Sequence, residues 1–267
     1  MTVGGDARPH AWTEEADGIL TVVLDRDAKL NAISPQITQV LWTAVRQVAA
    51  RADLRALVIT AVGRYFSAGI DLAAPSPLSG AGDGGAFRAV YRRHHLLYDE
   101  FEAMEKPVVL AAQGPCLGAG LEMACSADFR FATEVARFQL PEVTLGVIAG
   151  SGGTSRLTRL VGPHWGKWMA MAGRSVDARQ ALTMGLVHEV FPVEGFAAAV
   201  HERVREIVAL PAEALGAAKL AVDLVAEVDR GTARDIERLV NTHLVLRGGL
   251  PSGPPDAEQA RGGRGRT

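Results

Sequence analysis

KPVVLAAQGPCLGAGLEMACSADFRFA, residues Lys106–Ala132, is the stretch whose reading decides the fold. PVVLAA at Pro107–Ala112 is wholly apolar, as a strand buried on both faces must be. Gly114–Gly120 crowds glycine and proline into a tight turn, which feeds a short helix through about Ala124. Asp128–Ala132 is a further short strand. This is the most apolar part of the chain, yet Gln113, Gly114, Pro115, Glu122 and Asp128 interrupt it. A membrane helix needs about 20 largely unbroken apolar residues. The stretch therefore reads as the core of a globular protein.

Working outward, the upstream half repeats the same grammar. Ile19–Leu24 (ILTVVL) is a β-branched run that ends at Asp25, so it reads as a strand. Ser34–Pro35 opens a helix, because serine caps free N–H groups and proline fits the first turn. Ile37, Val40, Leu41, Ala44, Val45 and Val48 then follow at helical spacing. Arg55–Thr60 is a second strand, Arg64–Leu72 a loop, and Gly80–Gly85 a mobile glycine-rich segment. Phe87–Glu105 reads as a helix. Downstream, Ala136–Leu140 is a strand, and from Gly152 the pattern is helical except near Leu186–Phe191. Helices are expected at Ala197–Ala209, Ala212–Val228 and Thr232–Leu246. Strands and helices in alternation, then helices alone, predict an α/β or α+β fold.

Composition narrows the function. The chain has 267 residues, of which 48% are hydrophobic and 22% charged, and a net charge of −2, so no global field favours nucleic acid or anionic membrane. Cys116 and Cys125 are too few for a disulfide framework or a zinc cage, and a reduced, cytoplasmic compartment is expected. The first eighteen residues carry Asp6, Glu14 and Glu15 and no apolar run, so no secretory leader is expected. GxGxxG fails because Met123 stands where the third glycine belongs, and neither a P-loop nor GxSxG occurs. The seven histidines form no HxxxH or HExxH, so no metal is expected. The tail ends Arg261-Gly-Gly-Arg264-Gly-Arg266, a composition that can contact RNA but equally serves solubility.

Two glycine-rich turns and two carboxylates remain. Tyr65–Leu72 (YFSAGIDL) and Gly114–Glu122 (GPCLGAGLE) each place small residues where a strand ends, so a ligand could approach the backbone. The second turn opens a helix whose first N–H groups are unpaired. Two such N–H groups aimed at one point make an oxyanion hole. Either turn alone is also what close packing with nothing bound would require. Glu122 lies in an apolar run, and Glu142 stands between Pro141 and Val143. A glutamate among apolar residues is paired, protonated or functional. Pro141 and two short strands prevent one helix face from carrying both.

Four segments in order resemble the crotonase, or enoyl-CoA hydratase/isomerase, superfamily: LDRDAKLNAIS at Leu24–Ser34, YFSAGIDL, Lys106–Ala132, and FQLPEVTLGVIAGSGGTSRLTRLVG at Phe138–Gly162. The resemblance implies a spiral of ββα units with a helical C-terminal region. It implies that the N–H groups of Ile70 and Ala119 hold a thioester oxygen, that Glu122 is the base and Glu142 the acid, and that Gly150 positions water. Arg26, Lys29, Ala68, Ile70, Asp71, Leu72, Ala73, Gly118 and Ala119 would line the site for coenzyme A, which enters as part of the substrate, with no separate cofactor and no metal. The implied organisation is a core at 1–195, a helical oligomerisation region at 196–247 and a disordered tail at 248–267, assembled as a homotrimer or dimer of trimers with no membrane partner.

The sequence departs from the family pattern in places. Ala119 replaces a common glycine, Ile70 a smaller residue, Leu140 a polar one, and Ala149 a proline. A Gly/Pro-rich tail stands where a final helix is usual. The reading is an enoyl-CoA hydratase. An isomerase, decarboxylase or hydrolase on the same scaffold is the alternative, and an RNA-associated binding protein a more distant one.

Overall fold

The structure is a computed structural model that describes residues 9–73 and 84–248. Its strands are β1 (Ala11–Ala16), β2 (Ile19–Leu24), β3 (Ala56–Ala61), β4 (Val108–Ala112), β5 (Cys116–Leu117), β6 (Phe129–Thr133), β7 (Arg137–Gln139), β8 (Val176–Asp177) and β9 (Glu189–Phe191). They form a large sheet in the order β1-β2-β3-β4-β6-β9 and a small one in the order β5-β7-β8. In the large sheet only β1 is antiparallel to its neighbour. The chain passes from β4 in the large sheet to β5 in the small one, then back to β6 and on to β7. Each turn of this winding therefore lays a strand in both sheets.

Alternate residues explain why β4 is apolar throughout and β2 and β3 carry one threonine each among apolar residues. Leu57 and Ile59 of β3 and Val108 and Leu110 of β4 face one core. Ala56 and Val58, with Val109 and Ala111, face another. A strand covered on both sides has no polar face to show. The helices are α1 (Pro35–Ala50), α2 (Gly84–Ala103), α3 (Ala119–Cys125), α4 (Ser155–Gly166), α5 (Ala178–Thr183), α6 (Phe196–Val208), α7 (Ala212–Val225) and α8 (Arg230–Gly248). α1 forms as its spacing predicts: Ser34 Oγ accepts from the Ile37 N–H at 3.3 Å, and Ile37, Leu41, Ala44, Val45 and Val48 are buried. α6 covers the second core with Phe196, Val200, Val204 and Val208, one per turn.

The chain divides into two units after Ala212. α6 thus packs within the first unit, although the sequence reading placed it in the helical region from 196. The second unit holds α8 and nearly all of α7, joined by an Arg247–Glu213 ion pair at 3.1 Å. The sequence missed β1 because AWTEEA buries only Ala11, so this edge strand carries almost no apolar signal. It missed β8 because two residues are too few for a period. Gly84 and Gly85 open α2 rather than close a loop. The rest of the expected mobile segment, 80–83, and the tail beyond Gly248 lie outside the described residues.

Candidate active site

The turns that follow β2, β3 and β4 stack on one another. Ile33 bridges to Ile70, and Ser67 bridges to Cys116, both in parallel register. The Ile33 N–H donates to Gly69 O at 2.7 Å, and the Leu117 N–H donates to Ser67 O at 2.9 Å. Asn31, fully buried, ties the first two turns: its amide donates to Val62 O and Tyr65 O at 2.8 and 2.7 Å. Ser67 Oγ donates to Asn31 O at 2.8 Å and accepts from the Gly69 N–H at 3.1 Å. These buried bonds use backbone groups that would otherwise be unsatisfied, so they fix the turns rigidly.

The stacking leaves two N–H groups over. Ile33 uses its own N–H and C=O to pair with Gly69 and Asp71, which turns the Ile70 N–H to the other side. Ala119 is the first residue of α3, where no intrahelical acceptor exists. Among the described residues neither N–H has an acceptor. Gly69 brings the two turns together. Its φ is +97°, and a Cβ there would lie 3.3 Å from Ala119 N and 3.2 Å from Leu117 O. Gly118, at φ +51°, does the same for Glu142, since a Cβ there would lie 2.8 Å from Glu142 Oε1. A side chain at either position would be strained as well as crowded.

Both glutamates reach this place. Glu122 is 5% exposed, and its Oε1 accepts from the Ser151 N–H at 2.9 Å. The Gly153 N–H also binds it, and both bonds favour the charged form. Burial and the Glu142 charge outweigh them and push its pKa up to about 7. Glu142 opens a 3₁₀ turn at Glu142–Leu145, and burial raises its pKa too. Its Oε2 is buried and has no hydrogen-bond partner among the described residues. Val143 and Leu145 within the turn, and Val147 and Ile148 just after it, are exposed.

One face of α2, which the sequence reading took only as a helix, braces the site. Tyr98 Oη donates to Ala119 O at 3.1 Å and so steadies the start of α3. His95 Nε2 bonds Gly150 O at 2.5 Å. Asp99 and Glu102 hold the Arg156 guanidinium, at 2.5 Å from Asp99 Oδ1 and 2.7 and 2.6 Å from Glu102. Arg156 in turn packs against Gly152, in the segment that binds Glu122. Tyr91, His95, Tyr98 and Glu102 recur at helical spacing. That stripe was visible, but nothing local marked it as facing a site.

The remaining residues read as ligands are distributed around these turns. Arg26 and Asp71 are bound to each other at 2.6 Å, both largely buried. Lys29 is exposed on the Asp27–Lys29 turn. Ala68 is half-buried, Leu72 and Ala73 are exposed, and the Ala73 N–H donates to Asp71 Oδ1 at 3.0 Å. Gly150 adjoins the N–H donors of Glu122 but is not one of them. Among the described residues no group of three or more His, Cys, Asp or Glu could hold a metal, and no helix is long and apolar enough to cross a membrane.

Comparison with known proteins points the same way. Residues 14–246 match the family described as enoyl-CoA hydratase/isomerase. The chain is 34% identical over 232 residues to an enoyl-CoA isomerase/hydratase, fer4, of Mycosarcoma maydis, covering 84% of this chain and 83% of that one. It is 34% identical over 230 residues to a crotonyl-CoA hydratase of Syntrophomonas wolfei, covering 85% and 84%. The fold is similar to the crystal structure of an enoyl-CoA hydratase from Thermoplasma volcanium, with a TM-score of 0.82 and 28% identity over 95% of this chain and 96% of that one. An enoyl-CoA hydratase from Bacillus anthracis gives a TM-score of 0.81 at 28% identity, covering 89% and 91%.

Proposed function

The chain belongs to the enoyl-CoA hydratase/isomerase family and has the crotonase fold, and from there we propose that it is a hydratase adding water across trans-2-enoyl-CoA to give 3-hydroxyacyl-CoA. The observation that carries this reading is the pair Glu122 and Glu142. Both have raised pKa values and interact electrostatically, and the Glu142 carboxylate lies over the Gly118 turn beside two unused N–H groups.

In this reading the Ile70 and Ala119 N–H groups hold the thioester oxygen. Charge grows on that oxygen as C3 is attacked, so the donors bind the transition state better than the ground state. Glu122, ionised, takes a proton from water as the C3–O bond forms. The C2–C3 π electrons move toward the thioester, and Glu142, protonated, delivers a proton to C2. The product gains one water, and the proton left on Glu122 returns to Glu142 before the next turnover. A pKa of about 7 suits the base, because a large fraction is ionised near neutral pH and the carboxylate is still basic enough to take a proton.

Lys29 is the exposed cation of the first turn and is assigned to the phosphates of coenzyme A, which enters only as part of the substrate. Leu72 and Ala73 are assigned to its pantetheine arm and adenine. Leu224 of α7 and Leu239 and Leu246 of α8 are exposed, which supports burial between copies in a trimer or dimer of trimers. Sedimentation of the purified chain tests that assembly.

Loss of the conjugated-enoyl ultraviolet absorbance of crotonyl-CoA tests the hydratase reading. The fer4 name joins isomerase to hydratase, so a second reading is isomerisation by the same two acids. A 3-enoyl-CoA that gains this absorbance, while crotonyl-CoA stays unchanged, would replace the first reading with the second.

A further inference from the structure

Tyr91 is a polar side chain close enough to feel the charges of both glutamates, and the hydratase reading gives it no task. It stands on α2, half-buried, one turn before His95, with the two rings edge-on at 6.3 Å. Its ring fills the space where Gly150 would carry a side chain. A Cβ there would lie 2.7 Å from both Tyr91 Cζ and Oη. The phenol therefore sits against the same segment, 150–153, whose Ser151 and Gly153 N–H groups bind Glu122. Burial and the charges of both Glu122 and Glu142 raise its pKa, so the phenol keeps its proton and remains a donor.

The chemistry of the acyl group asks for such a donor. Water held between the glutamates, and the hydroxyl it becomes on C3, each present lone pairs inside a desolvated site. Ionised Glu122 can only accept a hydrogen bond, and the one proton on Glu142 is committed to C2, so a further donor to those lone pairs has to come from another side chain. A neutral phenol at the edge of the pair supplies what the carboxylates lack.

We propose that the Tyr91 hydroxyl donates a hydrogen bond to the oxygen on C3 of the bound acyl group, so that the site distinguishes 3-oxygenated acyl-CoA thioesters from saturated ones. The proposal rests on the hydratase reading for its substrate class. It also gives Gly150 a reason to be glycine, since its bare Cα is what admits the Tyr91 ring.

Titration calorimetry of the full chain and of Tyr91→Phe, with 3-hydroxybutyryl-CoA and butyryl-CoA as probes, tests it. The phenylalanine keeps the ring and its packing, so only the hydroxyl is removed. Wild type should bind the hydroxy ester more tightly, and Tyr91→Phe should lose about three- to tenfold for that ester alone, the usual worth of one neutral hydrogen bond. Butyryl-CoA should change by less than about twofold. Equal losses for the two esters, or none for the hydroxy ester, overturn the proposal. A wild type that discriminates between the esters but hydrates no enoyl-CoA supports the proposal and sinks the hydratase reading instead. A wild type that binds neither ester removes both.

Discussion

Glu122 sits inside α3, 5% exposed, with the N–H groups of Ser151 and Gly153 on its carboxylate. Glu142 opens a 3₁₀ turn, with one carboxylate oxygen buried and unpartnered among the described residues and exposed apolar side chains nearby in the chain. The residue type is the same and the surroundings are not. Fixed donors hold Glu122 in one orientation against a desolvation that resists its charge. Glu142 is held by less, and Gly118 makes room for it only because it lacks a side chain. Two chemically identical acids can thus take different parts in one reaction, as environments that differ around a carboxylate pair allow.

Removing one member breaks this comparison most directly. Glu122→Gln should lower kcat for crotonyl-CoA hydration by about 10³–10⁴-fold with circular dichroism unchanged. A loss under tenfold would take Glu122 out of the base role. Glu142→Gln should fall nearly as far, because both protons must move. A smaller effect comes from crowding Glu142 without deleting it. Gly118→Ala places a methyl against Oε1 at a left-handed φ, and turnover should drop by about 10²-fold. Restoration of activity to near wild type in that variant would show that the Glu142 position is not critical.

The pH dependence sharpens the contrast further. The hydratase kcat/KM should be bell-shaped in pH, rising with an apparent pKa near 7 as Glu122 ionises and falling where Glu142 loses its proton. In Glu142→Gln the falling limb of the residual activity should disappear, because position 142 no longer carries a proton to lose. A falling limb that persists in this variant would take Glu142 out of the acid role.

Stability gives the smallest effect. A carboxyl whose folded pKa exceeds its unfolded one binds more protons when folded, so its contribution to stability is full at low pH. For Glu122 that contribution is lost as pH rises from the model-peptide range, 4.5, through about 7. Glu122→Gln, neutral throughout, lacks this loss. Relative to wild type it should melt higher at pH 8 than at pH 5, by on the order of 1 kcal/mol once the lost N–H bonds are counted. Parallel melting curves at the two pH values would contradict a raised pKa at this position.

Much of the site was legible before any coordinates. Ser34 and Pro35 announced α1 by capping chemistry, and the apolar run at Val108–Ala112 announced a strand covered on both faces. The Gly69 and Gly118 turns were legible because positive φ and close approach demand glycine there. The face of α2 was not. Tyr91, His95, Tyr98 and Glu102 have the period of an ordinary buried stripe, and their partners, Gly150, Ala119 and Arg156, lie twenty or more residues away along the chain. β1 and β8 escaped for the opposite reason, having too little buried surface or too few residues to leave a pattern.

The sequence by itself determined which local structures form and where acids and small residues lie, because periodicity, capping and backbone freedom act over a few residues. Only the tertiary structure decided that Glu122 and Glu142 interact, that two N–H groups are left over beside them, and that α2 sets Tyr91 against Gly150. Those outcomes depend on which turns of the winding stack against each other. They also depend on how much water each carboxylate loses, which no short stretch of chain encodes.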